Sequence, residues 1–204
     1  MAGNRFGRRI PRFVVFLGLF LATAAIAIIV IAPTGGAPAP GARVSQGWVQ
    51  TRWGPLGPAD RDLLVRVRLA GLWEIPVSQQ AQQRAGSSRV KDVAMHLMTT
   101  HTTLDEQVRS VAAELGVDLP SQPNADQKGW MGQLSDKMGS DYDRAYANLL
   151  RQAHGKVFSV VAGVRSGTRN ERVRAFAQQA INVVMTHITL LESTGLVDFA
   201  ALAA

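Results

Sequence analysis

The chain has 204 residues, a formal net charge of +7, 47% hydrophobic residues and no cysteine. This length suits one domain of ordinary size with an added segment, and the apolar content with only 18% charged residues excludes an intrinsically disordered chain. The absence of cysteine excludes disulfide scaffolds, thiolate catalysis and every metal site that depends on cysteine. Because helix-forming residues abound and β-branched runs are scarce, we expect an all-α protein.

The N-terminal residues predict a membrane anchor. Residues 13–32 carry no charged side chain, and a helix of that length at ~1.5 Å per residue covers the roughly 30 Å hydrocarbon core of a bilayer. Residues 1–12 are basic, and their arginines are Arg5, Arg8, Arg9 and Arg12. By the positive-inside rule, residues 1–12 are cytoplasmic and the chain after the transmembrane helix is extracytoplasmic. We therefore predict a single-pass protein of the cell membrane with an uncleaved signal-anchor.

A cleavable signal peptide is the alternative, and the protein would then be secreted. The apolar core of such signals usually runs only about 7–15 residues. The small-x-small sequence Ala37-Pro38-Ala39 is followed by Pro40, which is a poor context for cleavage.

The basic N-terminus also accounts for most of the net charge, and the remainder of the chain has no dense basic stripe. We therefore expect no nucleic-acid partner, and the sequence does not identify any protein partner.

Residues 33–58 predict a linker between the anchor and a folded domain. The segment is rich in glycine, proline, alanine and serine, and this composition buries too little apolar surface to fold alone. Its bulky aromatic residues are Trp48 and Trp53. We expect both tryptophans to dock on the following domain, with the membrane interface as the alternative.

Residues 59–196 predict an antiparallel bundle of four long helices, and residues 197–204 predict a C-terminal tail. Start and stop signals place the long helices at 60–84, 88–115 (with residue 87 as an alternative start), 140–166 and 170–194. Asn124 and Gln127 predict a capped shorter helix between the second and third long helices. Asp143 completes a variant of the capping box that begins at Ser140, the predicted start of the third long helix.

Every long helix has an apolar seam with the 3-4 spacing of bundle packing. Each seam is interrupted once near its middle by a side chain that can titrate or bind a metal ion. These four residues are Glu74, His101, His154 and His187. The fourth histidine, His96, lies off the seams.

The spacing from the turns bears on whether these four residues meet. Around a turn near Gly86, Glu74 and His101 lie within about one helical turn of the same depth. Around a turn near Gly167, His154 and His187 differ by seven residues, or roughly 10 Å along straight helices. Convergence of all four residues is therefore a hypothesis at this stage.

Three imidazoles and one carboxylate predict a site for one transition metal ion in the bundle core. Zn, Fe, Cu and Mn all accept such ligands, so the metal is not specified. A metal-free polar core is the alternative, in which Glu74 pairs with one or more histidines, because buried His and Glu require partners in either case. The first interpretation describes a metal-binding module, and the second a structural or interaction module of the cell envelope.

Enzyme activity has weaker support from the sequence than either a metal-binding or a structural module. A di-iron oxidase needs Glu-x-x-His pairs on two helices and further carboxylates. The residues three positions before the seam histidines are instead Met98, Arg151 and Val184. His101 with Asp105 one turn later can form an oriented base, but we interpret the neighbouring threonines, Thr100 among them, as helix-face residues rather than nucleophiles. We predict no catalytic residue and leave enzyme activity uncertain.

Several runs in the helical region match the pattern of one bacterial family over about two thirds of the chain. The runs are GLWE at 71–74, VAMHLMTTH at 93–101, LGVDLP at 115–120, YDRAY at 142–146 and VRAFA at 173–177. They resemble the family called domain of unknown function 4142, which is grouped with ferritin-like four-helix bundles. The resemblance implies that fold and an exported or membrane-associated protein, with no established activity. Family members typically carry Asp directly before the histidines of the second and third long helices, where this chain has Thr100 and Ala153, so we expect any role of that Asp to be absent.

Overall fold

The computed structural model describes residue 1 and residues 47–202. Within residues 47–202, an antiparallel β-hairpin of two short strands, β1 (Val49–Thr51) and β2 (Gly54–Leu56), precedes the helices. The helices are α1 (Pro58–Arg84), α2 (Ser88–Leu115), α3 (Ala125–Ser135), α4 (Gly139–Gly167), α5 (Glu171–Glu192) and α6 (Phe199–Leu202). The predicted all-α class with four long helices is confirmed, and the short hairpin is an addition that the sequence did not predict.

Local signals explain where most helices begin and end. Ser87 and Asn170 precede α2 and α5, and their side chains accept hydrogen bonds from backbone N–H groups of the first turn. Asn124 and Gln127 form the predicted reciprocal capping box at the start of α3. Gly116 ends α2 in the left-handed conformation, with φ of 65°, which glycine adopts without steric strain. The predicted helix ends are therefore close to the observed ones.

The predicted capping box at Ser140 is wrong. α4 begins one residue earlier, after Met138, and no side chain caps it. Asp143 instead accepts hydrogen bonds from the backbone N–H groups of Gly86, at 3.1 Å, and Ser87, at 2.9 Å. This buried carboxylate satisfies the turn between α1 and α2 rather than its own helix, because the start of α4 packs against that turn.

Neighbouring long helices in the bundle are antiparallel. α1 packs on α2 and α4, and α5 packs on α4 and α2, so the order around the bundle is α1, α2, α5, α4. The turn before α2 contacts the start of α4, and Arg89 near the start of α2 donates to Ser193 after α5. The start of α5 contacts the β-hairpin that leads into α1. α1 and α5 therefore run in one direction, and α2 and α4 run in the other.

The connection from α2 to α4 crosses the length of the bundle. α2 ends beside the start of α5, where Glu114 pairs with Arg172 at 2.8 Å. α4 begins at the opposite end, beside the turn between α1 and α2. α3 lies within this crossover and packs on α1 and α4, where the ring of Trp130 meets Trp73 edge to face with 5.1 Å between centroids. The crossover therefore covers the face formed by α1 and α4.

Part of the predicted linker is folded. Residues 49–56 form the β-hairpin, so the prediction of a linker as far as residue 58 is wrong for this stretch. The ring of Trp48 packs under the guanidinium of Arg169, with 4.5 Å to the ring centroid. Trp53 packs against the apolar core, and its carbonyl accepts the N–H of Glu171 at 2.9 Å. The expected docking of both tryptophans on the helical domain is confirmed. These contacts with α5 and its preceding turn hold the hairpin in place.

The predicted transmembrane helix at residues 13–32 lies outside the described residues, as do residues 2–12 and the linker up to residue 46. None of the helices that the structure describes combines the length and the apolar run needed to cross a bilayer. The predicted tail at residues 197–204 contains the short helix α6, and residues 203–204 lie outside the described part of the chain.

Gly71 permits a close approach of α1 to α2. A Cβ atom at Gly71 would lie 2.9 Å from Oδ1 and 3.3 Å from Cβ of Asp105. We expect Gly71→Ala to lower the free energy of unfolding by about 1–3 kcal/mol, because Asp105 cannot retreat without weakening its ion pairs with Arg68 and Arg109. Gly163→Ala in α4 is the matched control, since open space surrounds it and we expect a gain of about 0.4–1 kcal/mol. Urea unfolding measures both changes, and an unchanged stability of Gly71→Ala would contradict this role.

Candidate metal centre

The four predicted seam residues form one polar layer between two apolar halves of the core. One apolar cluster includes Val67, Leu104, Val161 and Ala180, and the other includes Trp73, Leu97, Leu150 and Leu191. On each long helix the seam residue lies between members of these two clusters. The exposed fraction of the four polar residues is 4% or less. The polar layer therefore consists of Glu74, His101, His154 and His187.

The structure brings all four side chains of the polar layer together. Nε2 of His101 lies 2.9 Å from Oε2 of Glu74, and Nε2 of His154 lies 3.5 Å from the same oxygen. Nε2 of His154 also lies 2.9 Å from Nδ1 of His187. One possible ligand nitrogen from each histidine lies within 4.8 Å of the other two. The polar layer is thus a single buried cluster of three imidazoles and one carboxylate.

The position of the turn between α4 and α5 explains this convergence. α4 continues to Gly167 and α5 begins at Glu171, so the turn is centred near residue 169 rather than 167. Counted from that centre, His154 and His187 differ by three residues, or about 4.5 Å along the helices. The offset of roughly 10 Å expected from the sequence is therefore wrong.

Hydrogen bonds orient two of the histidines. Nδ1 of His154 donates to the carbonyl oxygen of Leu150 at 2.8 Å, because a carbonyl oxygen can only accept. In the neutral ring, Nε2 of His154 is then left with a lone pair that faces His187. Nε2 of His187 bonds the hydroxyl of Thr100 at 2.6 Å, which directs its Nδ1 toward His154. Carbonyl and hydroxyl partners of this kind hold metal-binding histidines in position.

Two atoms of the polar layer lack a hydrogen-bond partner within the part of the chain that the structure describes. They are Oε2 of Glu74 and Nε2 of His101. The two atoms lie 2.9 Å apart, yet without the geometry of a hydrogen bond. A buried polar atom without a partner costs about 1–3 kcal/mol, and more when it is charged. A cation held between these atoms would satisfy both of them.

The spacing of the donor atoms fits a small transition metal ion. A tetrahedral site with bonds of about 2.0–2.2 Å has donor–donor distances of about 3.3–3.6 Å. The contacts of 2.9 Å and 3.5 Å to Oε2 of Glu74, and the contact of 2.9 Å between His154 and His187, are close to this range. The chosen nitrogen atoms of the three histidines lie within 4.8 Å of one another, so they must draw closer together to bind one ion along with Glu74.

Burial and neighbouring charges set the protonation of the polar layer. Burial lowers the pKa of His154, and burial together with the nearby histidines lowers the pKa of His187. Burial alone would raise the pKa of Glu74, but the attraction of His154 and His101 outweighs it and holds that pKa below its ordinary value. Because burial lowers their pKa, His154 and His187 favour the neutral imidazole, which is the form that binds a metal ion.

Asp105 does not orient His101, so the hypothesis of an oriented base is wrong. The carboxylate of Asp105 pairs with Arg68, and its second oxygen lies 3.1 Å from Nε of Arg109. His96 lies off the polar layer, as predicted, and is exposed. Its ring stands edge to face against His187 with 5.9 Å between centroids.

Thr100 is the site residue that the sequence analysis missed. Its interpretation as a plain helix-face residue is incomplete, because its hydroxyl bonds His187 across the bundle. Thr100 stands where the resembling family carries Asp, and in this chain the position supplies a hydroxyl oxygen to His187. Ala153, at the corresponding position of α4, has no side-chain oxygen. The position of Thr100 directly before His101 was the sequence signal that could have indicated its role.

Comparison with known proteins identifies the helical region. The family described as domain of unknown function (DUF4142) matches residues 50–193, which is well over half of the chain. No curated protein matches, and no solved structure matches. The matched residues include the whole polar layer and helices α1 to α5.

Proposed function

The chain belongs to the family described as domain of unknown function (DUF4142), and we propose that its bundle is a metal-binding module for one transition metal ion. The ligands are Glu74, His101, His154 and His187. The observation that carries this proposal is the buried pair of Oε2 of Glu74 and Nε2 of His101, which lie 2.9 Å apart without a hydrogen-bond partner among the described residues. A bound cation would give each of these two atoms a coordinate bond.

The surroundings of His187 accommodate the metal-bound form. To bind metal through Nδ1, His187 must carry its proton on Nε2 and donate it to the hydroxyl of Thr100. That hydroxyl can in turn donate to the carbonyl oxygen of His96, which lies 2.8 Å away. The ligand set is rich in nitrogen, which favours Zn, Cu or Fe, with Mn as the fourth candidate.

Metal analysis of the full-length chain, purified without a polyhistidine tag, tests the proposal. We expect about one metal ion per chain in the unmodified protein. His101→Ala and His187→Ala should each reduce the metal content to near zero, because each removes one of four ligands. His96→Ala is the matched control, since this exposed histidine lies outside the polar layer. The proposal fails if the unmodified protein holds no metal, or if both ligand variants keep its full metal content.

A metal-free polar core is the second candidate, and it has an observation of its own. The hydrogen bonds from Leu150 through His154 and His187 to Thr100 form a continuous chain in which both of these histidines are neutral. The bundle would then be a structural or interaction module of the cell envelope. In that case exchanging the seam histidines His101, His154 and His187 together for Leu leaves function intact and stability unchanged or raised, because burying polar groups costs more than burying apolar ones. The same metal analysis separates the two candidates.

The ferritin-like assignment belongs to this proposal as well. One long crossover in an otherwise up-and-down four-helix bundle is an arrangement that ferritin-like proteins use. The polar layer contains a single carboxylate, whereas a di-iron oxidase needs several. We therefore propose a site for one ion and no oxidase activity.

We also propose that a single-pass anchor at residues 13–32 holds the bundle on the extracytoplasmic side of the cell membrane. The proposal rests on the charge-free segment and on the four arginines before it. The full chain should stay with the membrane pellet after an alkaline wash, and N-terminal sequencing should find residues 1–32 still attached. A mature chain that begins after residue 32 would indicate secretion after signal cleavage instead.

A further inference from the structure

A cavity on one face of the bundle is lined in part by Glu74 of the polar layer. This α1/α4 cavity has a volume of about 270 Å³ and lies between α1, α3 and α4. Trp130 of the crossover lines one side of the cavity, and Trp73 and Val157 contribute to its apolar wall. Glu74 lines the same cavity, together with Ala70 one helical turn earlier. The one acidic ligand of the polar layer is thus also part of a cavity wall.

A second cavity approaches the polar layer from the opposite face. This α2/α5 cavity, also of about 270 Å³, is lined by Thr100 and Thr103 of α2 and by Gln179 of α5. The residues that line it carry no charge. Among the residues that line this cavity, Thr100 is hydrogen-bonded to the polar layer, and its hydroxyl is already engaged by His187. An ion arriving on this side would meet no free ligand of the layer.

We propose that the α1/α4 cavity is the route by which a divalent metal ion reaches the polar layer, with Glu74 as its first ligand. This inference rests on the proposed metal-binding function. Oε2 of Glu74 lies 2.9 Å from Nε2 of His101 and 3.5 Å from Nε2 of His154. An ion bound to this carboxylate therefore needs to move by no more than about 3.5 Å to reach either nitrogen atom. The carboxylate also offsets the loss of water from the ion as it enters the apolar cavity.

Two exposed side chains of opposite charge stand where the cavity opens to solvent. They are Asp126 of α3 and Lys156 of α4. The third charged group near the opening, Arg66, is paired with Asp62 at 2.6 Å. Charges at the mouth of a cleft change the arrival rate of a charged ligand according to their sign. Asp126 should therefore speed the arrival of a cation, and Lys156 should slow it.

The rate at which the metal-free, full-length chain takes up Co²⁺ tests the route, with the visible absorption of bound Co²⁺ as the signal in rapid mixing. Asp126→Lys should slow the uptake and Lys156→Glu should speed it, each by a factor of about three to ten at low ionic strength. Both positions are exposed and neither is a ligand, so the final Co²⁺ content should not change. High salt should reduce both effects, because it screens charges at the surface.

Filling each cavity in turn provides the matched comparison. Ala70→Phe fills the α1/α4 cavity and should slow Co²⁺ uptake by about tenfold or more, because the side chains must open to admit the ion. Thr103→Phe fills the α2/α5 cavity and should leave the rate unchanged. Thermal unfolding of each variant checks that it is folded, and the two charge variants decide the matter if Ala70→Phe does not fold.

The possible outcomes separate this inference from the proposed function. Opposite effects of Asp126→Lys and Lys156→Glu, with normal uptake by Thr103→Phe, support the α1/α4 route. Normal Co²⁺ binding with no effect of either charge variant, or with uptake slowed by Thr103→Phe, overturns the route and leaves the metal site in place. An unmodified chain that binds no Co²⁺ overturns both.

Discussion

Zinc ions should raise the unfolding temperature of the full-length chain by about 5–10 °C, and the His154→Ala variant should lose this rise. A ligand that binds only the folded state stabilises it by about 2.7 kcal/mol at a concentration 100 times its Kd. For a helical domain of this size, each kcal/mol corresponds to about 2–4 °C. His154 is the most informative position, because its Nε2 contacts both Glu74 and His187.

The measurement compares thermal unfolding with Zn²⁺ and with a chelator for each protein separately. This comparison removes the effect that His154→Ala has on stability in the absence of metal. His96→Ala is the control, and it should keep the full rise because this exposed ring makes no contact with Glu74 or His154 in the described residues. A rise that persists in His154→Ala would show that zinc binds elsewhere, and no rise in the unmodified protein would contradict the metal centre.

Acid should destabilise the metal-free chain steeply below pH 6.5, the ordinary pKa of an unfolded histidine. Burial lowers the pKa of His154 and His187 in the folded protein, so the unfolded chain binds protons that the folded chain excludes. The stability that these residues contribute is complete above pH 6.5 and falls as the pH drops below it. Each residue contributes at most about 1.4 kcal/mol per pH unit below pH 6.5.

Glu74 also makes the folded chain less stable as the pH falls, but at a lower pH than the histidines do. Its folded pKa lies below the ordinary 4.5, so its contribution is present above that value and is lost as the pH falls through the folded pKa. Urea unfolding between pH 8 and 5, with a chelator present, measures the histidine part alone. His187→Leu should reduce this slope, because it removes one of the two histidines whose pKa is lowered in the folded chain. A stability that is flat over this range would contradict the buried, neutral histidines.

The helices themselves were predictable because their signals are local. Asn124 with Gln127, Asn170 and Gly116 each act within one helical turn, so the sequence shows both the signal and its partner. Asp143 has an equally good local signal and was predicted wrongly. Its partners are the backbone N–H groups of the turn before α2, more than fifty residues earlier. A capping pattern alone does not distinguish these two uses of a carboxylate.

The β-hairpin was missed for a related reason. Residues 49–56 are too few, and too rich in glycine and proline, to show the alternation of a strand. Their order comes from contacts with distant residues, in particular the hydrogen bond of Trp53 with Glu171 and the stacking of Trp48 under Arg169. Such contacts exist only after the bundle has formed.

The residues of the candidate site can be recognised from the sequence, because a histidine or glutamate that interrupts an apolar seam stands out at helical spacing. Glu74, His101, His154 and His187 were all found in this way, and the absence of cysteine limited any metal site to these ligand types. Their meeting at contact distance depends on the turn centred near residue 169 and on the packing order of the helices. The role of Thr100 and the cavity beside Glu74 depend on that packing too. Helical periodicity is a property of each segment alone. The depth of a side chain in the bundle, its hydrogen-bond partners and its access to solvent depend on packing between segments that are far apart in the chain.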